Sequence, residues 1–409
     1  MKTLLMIGGG LQQVRAVEKA KDLGHSIIVT DRDPHCPCSK YADDFYKVNG
    51  RDIESLVSLG LYLKRQDRLD GVFTFTELVT SVAAVASTCE LIGSGLSSAV
   101  NCQDKGLTKK IWTEKGIKTP KGHLYYGQID VHEILSTLRF PLIVKPVTGS
   151  GGSGMVFIQG ERDFSNWYKT NCTSISYTSR VVIEEVALGT SHDVNGIFDI
   201  DGGFYPYGIV DRDFWPDTLA ENTINAPTSL SLEHQKELYT LLEKSAKALG
   251  VKKGPVKGDA ILTKDGFLML EIAPRLHGPK FSLYAMPAIT NNYLKGFFEI
   301  LTGGKWLGSY EPRSNGFVFK SQLITVPPGK ITSIDGVNDI LANNKKDLEV
   351  MIFKKVGDLM REYKSSHDTF GYLMARGINT LELEMRLAEA TSGITVEVDK
   401  SPPSSGAVS

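Results

Sequence analysis

The chain has no apolar stretch of membrane-spanning length, and its charges nearly cancel, with 46 Lys and Arg against 47 Asp and Glu for a net charge of −1. Without a global field, neither nucleic acid nor a membrane surface is favoured as a partner. Cysteine is scarce too. Five scattered thiols, an odd number, make no disulfide framework and suit a reducing, cytoplasmic compartment. HCPC, His35 to Cys38, has no second Cys/His pair at a zinc spacing, so it reads as a loop. The apolar run in MKTLLMIGGG is too short for a signal-peptide core and reads as a strand. What remains is a soluble chain of 409 residues, too long for one ordinary core and expected to form roughly two to four domains.

That first apolar run ends on Gly8–Gly10. A helical pattern with a glycine stop follows, then HSIIVTD, a second apolar run closing on Asp31. Strand, glycine turn, helix and strand make a βαβ unit of a parallel sheet. GVFTFTE and LIGS are expected to add strands, with LVTSVAAVASTC as the helix between them. Residues 1–100 therefore read as a doubly wound, Rossmann-like α/β domain. The glycine turn lacks the third glycine of a dinucleotide fingerprint, which weakens an NAD reading. It is equally suited to presenting N–H groups to another anion.

From residue 101 a helical stretch leads to Thr119-Pro120, and strand-rich segments follow. SLEHQKELYTLLEKSAKALG reads as a core-facing helix with Ser231 as N-cap and Gly250 as stop. After about residue 305 the pattern is a smaller α/β segment. There FGYLMARG is a strand, Asn379 and Glu382 form a capping box, and ITVEV closes the fold. SPPSSGAVS at the end has the composition of a disordered tail. The expected division is 1–100, 101–305 with a small lobe at about 121–187, 306–398, and a tail at 399–409.

Four separated pieces form one chemical argument. Asp104-Lys105 opens a helix, and LIVKP places Lys145 at the end of an apolar strand. TGSGGSGM, Thr148 to Met155, packs four glycines into eight residues. Two later strands are expected to end on acids, Asp259 in VKGDAIL and Glu271 in GFLMLEIAPRLHG. A triphosphate with a divalent cation requires this set. Glycine-flanked N–H groups cradle phosphate oxygens, lysines neutralise them, and hard carboxylate oxygens hold Mg²⁺. The loop is no P-loop, because no Gly-Lys-Ser/Thr ends it. VVIEEVALG, a strand ending Glu184-Glu185-Val186-Ala187, can take an adenine edge through its backbone.

In this order the pieces resemble the ATP-grasp superfamily over residues 1 to about 395. GGGLQQVRAVEKAKDLGHSIIVTDRDP resembles its carboxylate–amine ligase and carbamoyl-phosphate-synthase large-subunit-like branch. The resemblance implies an ATP-grasp fold, with a pre-ATP-grasp domain, a two-lobed α+β nucleotide-binding domain and a small C-terminal domain. It also implies ATP with Mg²⁺, or Mn²⁺ in its place. ATP would meet Lys105, Lys145, the loop residues Gly149, Ser150, Gly151, Gly152, Ser153, Gly154 and Met155, and the hinge Glu184, Glu185, Val186 and Ala187. Asp259 and Glu271 would hold the metal. Arg275 would act with Lys145 in catalysis and hold the anionic substrate beside His277. The implied activity is ligation of a small-molecule carboxylate to an amine, such as an amino acid, through an acyl-phosphate. A homodimer is compatible with this, dimers being frequent in similar enzymes.

Two departures stand out. The family pattern Glu-x-Asn-Pro-Arg has Ala273 for the asparagine here, and the first acid is the shorter Asp259. Ser191 stands where a ribose-binding glutamate is frequent, leaving His192 or Asp193 to take that contact. Lys109 and Lys110 rival Lys105 for phosphate. DRDFWPDTLAENTINAP, Asp211 to Pro227, reads as a long irregular loop facing the substrate. The same machinery also serves a carboxylase or a kinase that phosphorylates bicarbonate or a hydroxyl, and a non-catalytic nucleotide-binding protein is a reading of another class.

Overall fold

The computed structural model describes residues 1–126, 129–149, 151–152, 154–171, 180–216, 218, 220–306, 313–343 and 347–400. Its first unit is a parallel sheet of four strands, β1 (Thr3–Ile7), β2 (Ser26–Asp31), β3 (Asp44–Lys47) and β4 (Gly71–Phe73), in the order β3-β2-β1-β4. Leu4–Ile7 and Ile27–Thr30 are buried throughout, the unbroken apolar pattern of strands covered on both faces. Helix α1 (Val14–Asp22) turns Ala16, Val17 and Ala20 inward, and α2 (Ile53–Arg65) turns Leu56, Leu59 and Leu63 inward. The strand expected in LIGS does not form; Leu91–Ser94 bends between α3 (Val79–Thr88) and α4 (Leu96–Gln103). Four residues, with Gly93 among them and Gly95 following, are too few to add an edge. The β3 strand and α2 carried no strong signal and were not expected.

The helical stretch from residue 101 is broken at Asp104, which is extended and caps α5 (Lys105–Glu114) by accepting from the N–H groups of Gly106 and Leu107. A four-stranded lobe follows, with β5 (Gly122–Tyr126), β6 (Leu142–Pro146), β7 (Val156–Ile158) and β8 (Arg180–Glu185) ordered β5-β8-β6-β7. Ile134 and Phe164, from helices over one face, pack on Leu142, Val144 and Ile183.

An eight-stranded sheet forms the second wall. β9 (Thr190–Phe198), β10 (Phe204–Phe214), β11 (Glu221–Ala226), β12 (Gly254–Thr263) and β13 (Gly266–Ala273) are joined by strands Val318–Ile324, Gly371–Gly377 and Leu348–Ile352. The sheet crosses the expected boundary near residue 305, because β11 pairs with Val318–Ile324. The long loop expected from Asp211 is mostly strand. β10 extends to Phe214 and pairs with β11, leaving a short turn between them. The mixed acids and aromatics there alternate between two faces, which disguises a strand as irregular chain. Helix Leu232–Ala248, capped by Ser231, buries Leu238, Leu242 and Ala246 under this sheet.

Helix Tyr293–Leu301 returns to the first unit, where Phe297 and Phe298 meet Phe73 edge to face at 5.6 Å. Near the end, Asn379 caps its helix as expected. The Glu382 carboxylate accepts from Ile378 N rather than from the cap's own N–H, so the box is only half formed. The last strand runs to Asp399, into the expected tail, and residues 401–409 lie outside the described residues. No described helix is long and apolar enough to cross a membrane.

Candidate active site

Between the four-stranded lobe and the eight-stranded sheet lies a cleft of about 890 Å³. Residues of one face of β6 and β8, Ile143, Lys145, Val182 and Glu184, line its roof. Register places Ile143 opposite Glu184, so Lys145 and Glu184 are diagonal neighbours on that face. They are ion-paired, and Lys109 takes the other carboxylate oxygen at 2.7 Å. Lys109 stands one helical turn beyond Lys105 on α5, which aims both at the cleft. Glu184 is 3% exposed, and burial alone would raise its pKa. Lys145 and Lys109 reverse this and hold the carboxyl below its usual range. Burial lowers the Lys109 pKa, with Glu184 opposing.

Lys105 donates to Gly149 O at 2.8 Å and lies 3.9 Å from Glu271. Gly149, Gly151, Gly152 and Gly154 all have positive φ, between 62° and 126°, where a side chain would be strained. Ser150 and Ser153 lie outside the described residues. The Gly151 carbonyl accepts from Ser366 N at 3.2 Å, so a turn of the C-terminal segment touches this loop, and Ser366 and His367 line the cleft. Glu185, Val186 and Ala187 line it as well. The Glu185 carboxylate turns to Arg139 N, and the Val186 N–H donates to Pro141 O.

The floor is a row of carboxylates. Asp193 on β9 pairs in register with Asp259 on β12, and Asp259 with Glu271 on β13. Asp259 lies in mid-strand and Glu271 two residues before its strand ends, so these acids do not terminate their strands as expected. Strand alternation, not strand ends, is what aims them. Like charges side by side on a sheet repel. Here cations compensate: Lys257 Nζ lies 3.0 and 3.1 Å from the two Asp259 oxygens and 2.6 Å from Glu271 Oε1. Arg212 reaches Asp193 at 3.1 Å and Asp259 at 3.6 Å.

Burial raises both the Asp259 and Glu271 pKa values, but the surrounding cations together more than offset this, Lys257 first, then Arg212 at Asp259 and Lys105 at Glu271. Both end below their usual range, Asp259 far below. For Asp193, burial wins over Arg212, and the carboxyl is pushed up to about 8.

His277 Nε2 lies 2.8 Å from Asp259 and Nδ1 2.9 Å from Asn195, and burial pulls its pKa down to about 3 despite the carboxylate. Arg275 donates to Glu77 at 2.6 Å and to Leu276 O at 2.9 Å, so the first unit contributes a carboxylate to the site.

His192 must be corrected. Its ring faces away from the cleft, between Thr190 and Asp211, while Ser191 and Asp193 line it. Alternation along β9 puts residue 192 on the opposite face from 191 and 193. Ala273 packs with Val79, Ala83 and Ala99 in a small apolar cluster, where an asparagine would be buried among methyl groups. Lys257 and Arg212 were missed as site residues. Lys257 lies two residues before Asp259 on the same strand, and period-two counting along VKGDAIL would have found it.

Residues 138–282 match the model of the ATP-grasp domain, and residues 322–399 that of the L-amino acid ligase C-terminal domain 2. A D-alanine–D-alanine ligase of Ectopseudomonas mendocina is 28% identical over 187 residues, spanning 44% of this chain and 58% of that protein. The chain thus covers less than two thirds of that relative's length. The solved L-amino acid ligase of Bacillus licheniformis superposes with TM-score 0.78 at 20% identity, covering 98% of this chain and 99% of that one. Phosphoribosylglycinamide synthetase of Anaerococcus prevotii gives 0.75 at 18%, covering 97% and 100%. At these identities the two structures establish a shared fold.

Proposed function

We propose that this chain, whose residues 138–282 match the ATP-grasp domain, is an ATP-dependent carboxylate–amine ligase. It joins a small carboxylate to an amine through an acyl-phosphate, with an amino acid or similar metabolite as one substrate, and works in the cytoplasm. The observation that carries this reading is the charge pattern of one cleft, with lysines and a glycine loop on one wall and the aligned carboxylates of Asp259 and Glu271 on the other.

A carboxylate does not react with amines at neutral pH, since its charge repels nucleophiles and oxide leaves poorly. Phosphorylation by ATP turns that oxygen into a leaving group. The protein's task is then positioning and charge neutralisation. In this reading Lys105 and Lys145 hold the phosphates, the glycine loop closes over them, and the backbone of Glu184–Ala187 receives adenine. Arg275 holds the anionic acid against Glu77's side of the cleft.

Asp259 and Glu271 fit a divalent cation, because both already converge on one positive group, the Lys257 ammonium. Bound there, Mg²⁺ or Mn²⁺ would neutralise charge on the reacting phosphates. His277, placed between Asp259 and Asn195, keeps the Asp259 carboxylate oriented.

The test is a phosphate-release screen of acids and amines with ATP and Mg²⁺, with hydroxylamine as a trap. Acid-dependent hydroxamate is the expected product. A phosphorylated hydroxyl product would make the protein a kinase, and nucleotide binding without turnover across the panel would make it a binding protein.

A further inference from the structure

Asp259 and Glu271 are not waiting as bare carboxylates. Lys257 lies between them, 4% exposed, with its ammonium in contact with both Asp259 oxygens and with Glu271 Oε1. The other Glu271 oxygen looks toward Lys105 at 3.9 Å. The remaining side chains within ion-pair distance of Asp259 are His277 at 2.8 Å and Arg212 at 3.6 Å, and neither reaches Glu271. Lys257 is thus the single group that bridges the two carboxylates among the described residues.

A small divalent cation takes oxygen ligands at about 2.0–2.1 Å and repels an ammonium group. A metal and the Lys257 ammonium cannot both lie between these carboxylates in such contact.

We propose that Lys257 is the resident cation of the Asp259–Glu271 pair in the nucleotide-free protein, and that a divalent metal binds by displacing it. The inference rests on the ligase reading for the assignment of those two acids. It adds a regulatory consequence: the free protein holds metal weakly, since each metal ion must first break two partly buried ion pairs. The nucleotide's phosphates then supply the missing anionic partner for the released ammonium, so metal and nucleotide bind together rather than separately. No bond is made or broken in this exchange; one cation leaves a carboxylate pair and another enters.

The test uses Mn²⁺ alone, without nucleotide, and reads free Mn²⁺ by electron paramagnetic resonance. Lys257→Met is expected to bind Mn²⁺ at least about tenfold more tightly than the unmodified protein, because two partly buried carboxylates lose their shared counter-ion. Lys257→Arg keeps a cation in place and is expected to stay near the unmodified value. Equal affinity in all three proteins overturns the proposal.

If Lys257→Met does not fold, anomalous diffraction from crystals of the unmodified protein with Mn²⁺ decides the matter. Manganese bound to both Asp259 and Glu271, with Nζ moved out of contact, supports exchange. Lys257 still bridging both acids at saturating Mn²⁺ overturns it. The two readings fail separately. Ligation of an acid to an amine with no cation exchange sinks only the proposal about Lys257, whereas exchange in a protein that neither binds nor hydrolyses ATP sinks the ligase reading.

Discussion

Glu184→Gln separates two roles for one residue. By position in the hinge, Glu184 belongs beside adenine. By contact, it is the buried counter-ion of Lys109 and Lys145. Removing its charge leaves two ammonium groups in a site where Glu184 itself is 3% exposed. Removing one partner of a buried pair costs about 3–5 kcal/mol, and glutamine's remaining hydrogen bonds place this case near the lower end. A triphosphate brings the charge that the variant lacks. Part of the loss, about 1–2 kcal/mol, should therefore be recovered on nucleotide binding, which is tighter binding by roughly 5–30-fold.

The expected pattern is a lower melting temperature in the free protein, a larger nucleotide-induced rise, and a kcat reduced about tenfold or more because the lysines are no longer held in place. Differential scanning fluorimetry and calorimetry with a non-hydrolysable ATP analogue read the first two. An unchanged free protein that no longer responds to nucleotide would refute the reasoning, since it would mean that Glu184 touches the nucleotide directly.

Acid stability follows from the same group. A carboxyl held below its usual pKa contributes stability that is complete above its unfolded value, about 4.3, and is lost as pH falls through the folded value. The unmodified protein should lose melting temperature more steeply below about pH 4 than Glu184→Gln does, as a pH series of thermal scans would show. In Gly152→Ala the side chain must adopt a left-handed backbone with φ near 78°, at a cost of about 1–2 kcal/mol. Nucleotide affinity should fall roughly 5–30-fold by calorimetry with little change in melting temperature, and a large loss of stability would contradict a loop role. Arg275→Lys loses the fork that reaches both Glu77 and Leu276 O. The KM for the acid substrate should rise at least about tenfold while nucleotide affinity stays put; the opposite split would place Arg275 on the nucleotide.

The glycine loop, the Lys-Pro strand and the acid-bearing strands were legible because each is a local pattern, a run of glycines or an apolar stretch ending in charge. Lys145, Asp259, Glu271 and Arg275 all line one cleft. What escaped depends on partners distant in sequence. Nothing near Lys257 says that Glu271, on the next strand, will share its ammonium. His192 failed through phase: proximity in sequence to a ribose position says nothing about which face of β9 a residue occupies, and alternation puts it behind the sheet. The β10–β11 hairpin failed because polar residues occupy both of its faces, Arg212 in the cleft and Asp211 behind the sheet, so the usual apolar–polar alternation of a strand is absent.

The central claim is that ATP phosphorylates a carboxylate in this cleft. Oxygen-18 transfer tests it most directly, using an acid substrate labelled in its carboxylate, ATP, Mg²⁺ and the amine, with the released phosphate analysed by mass spectrometry. The account predicts that the phosphate carries an oxygen-18 atom taken from the acid. Product formation with wholly unlabelled phosphate would contradict it.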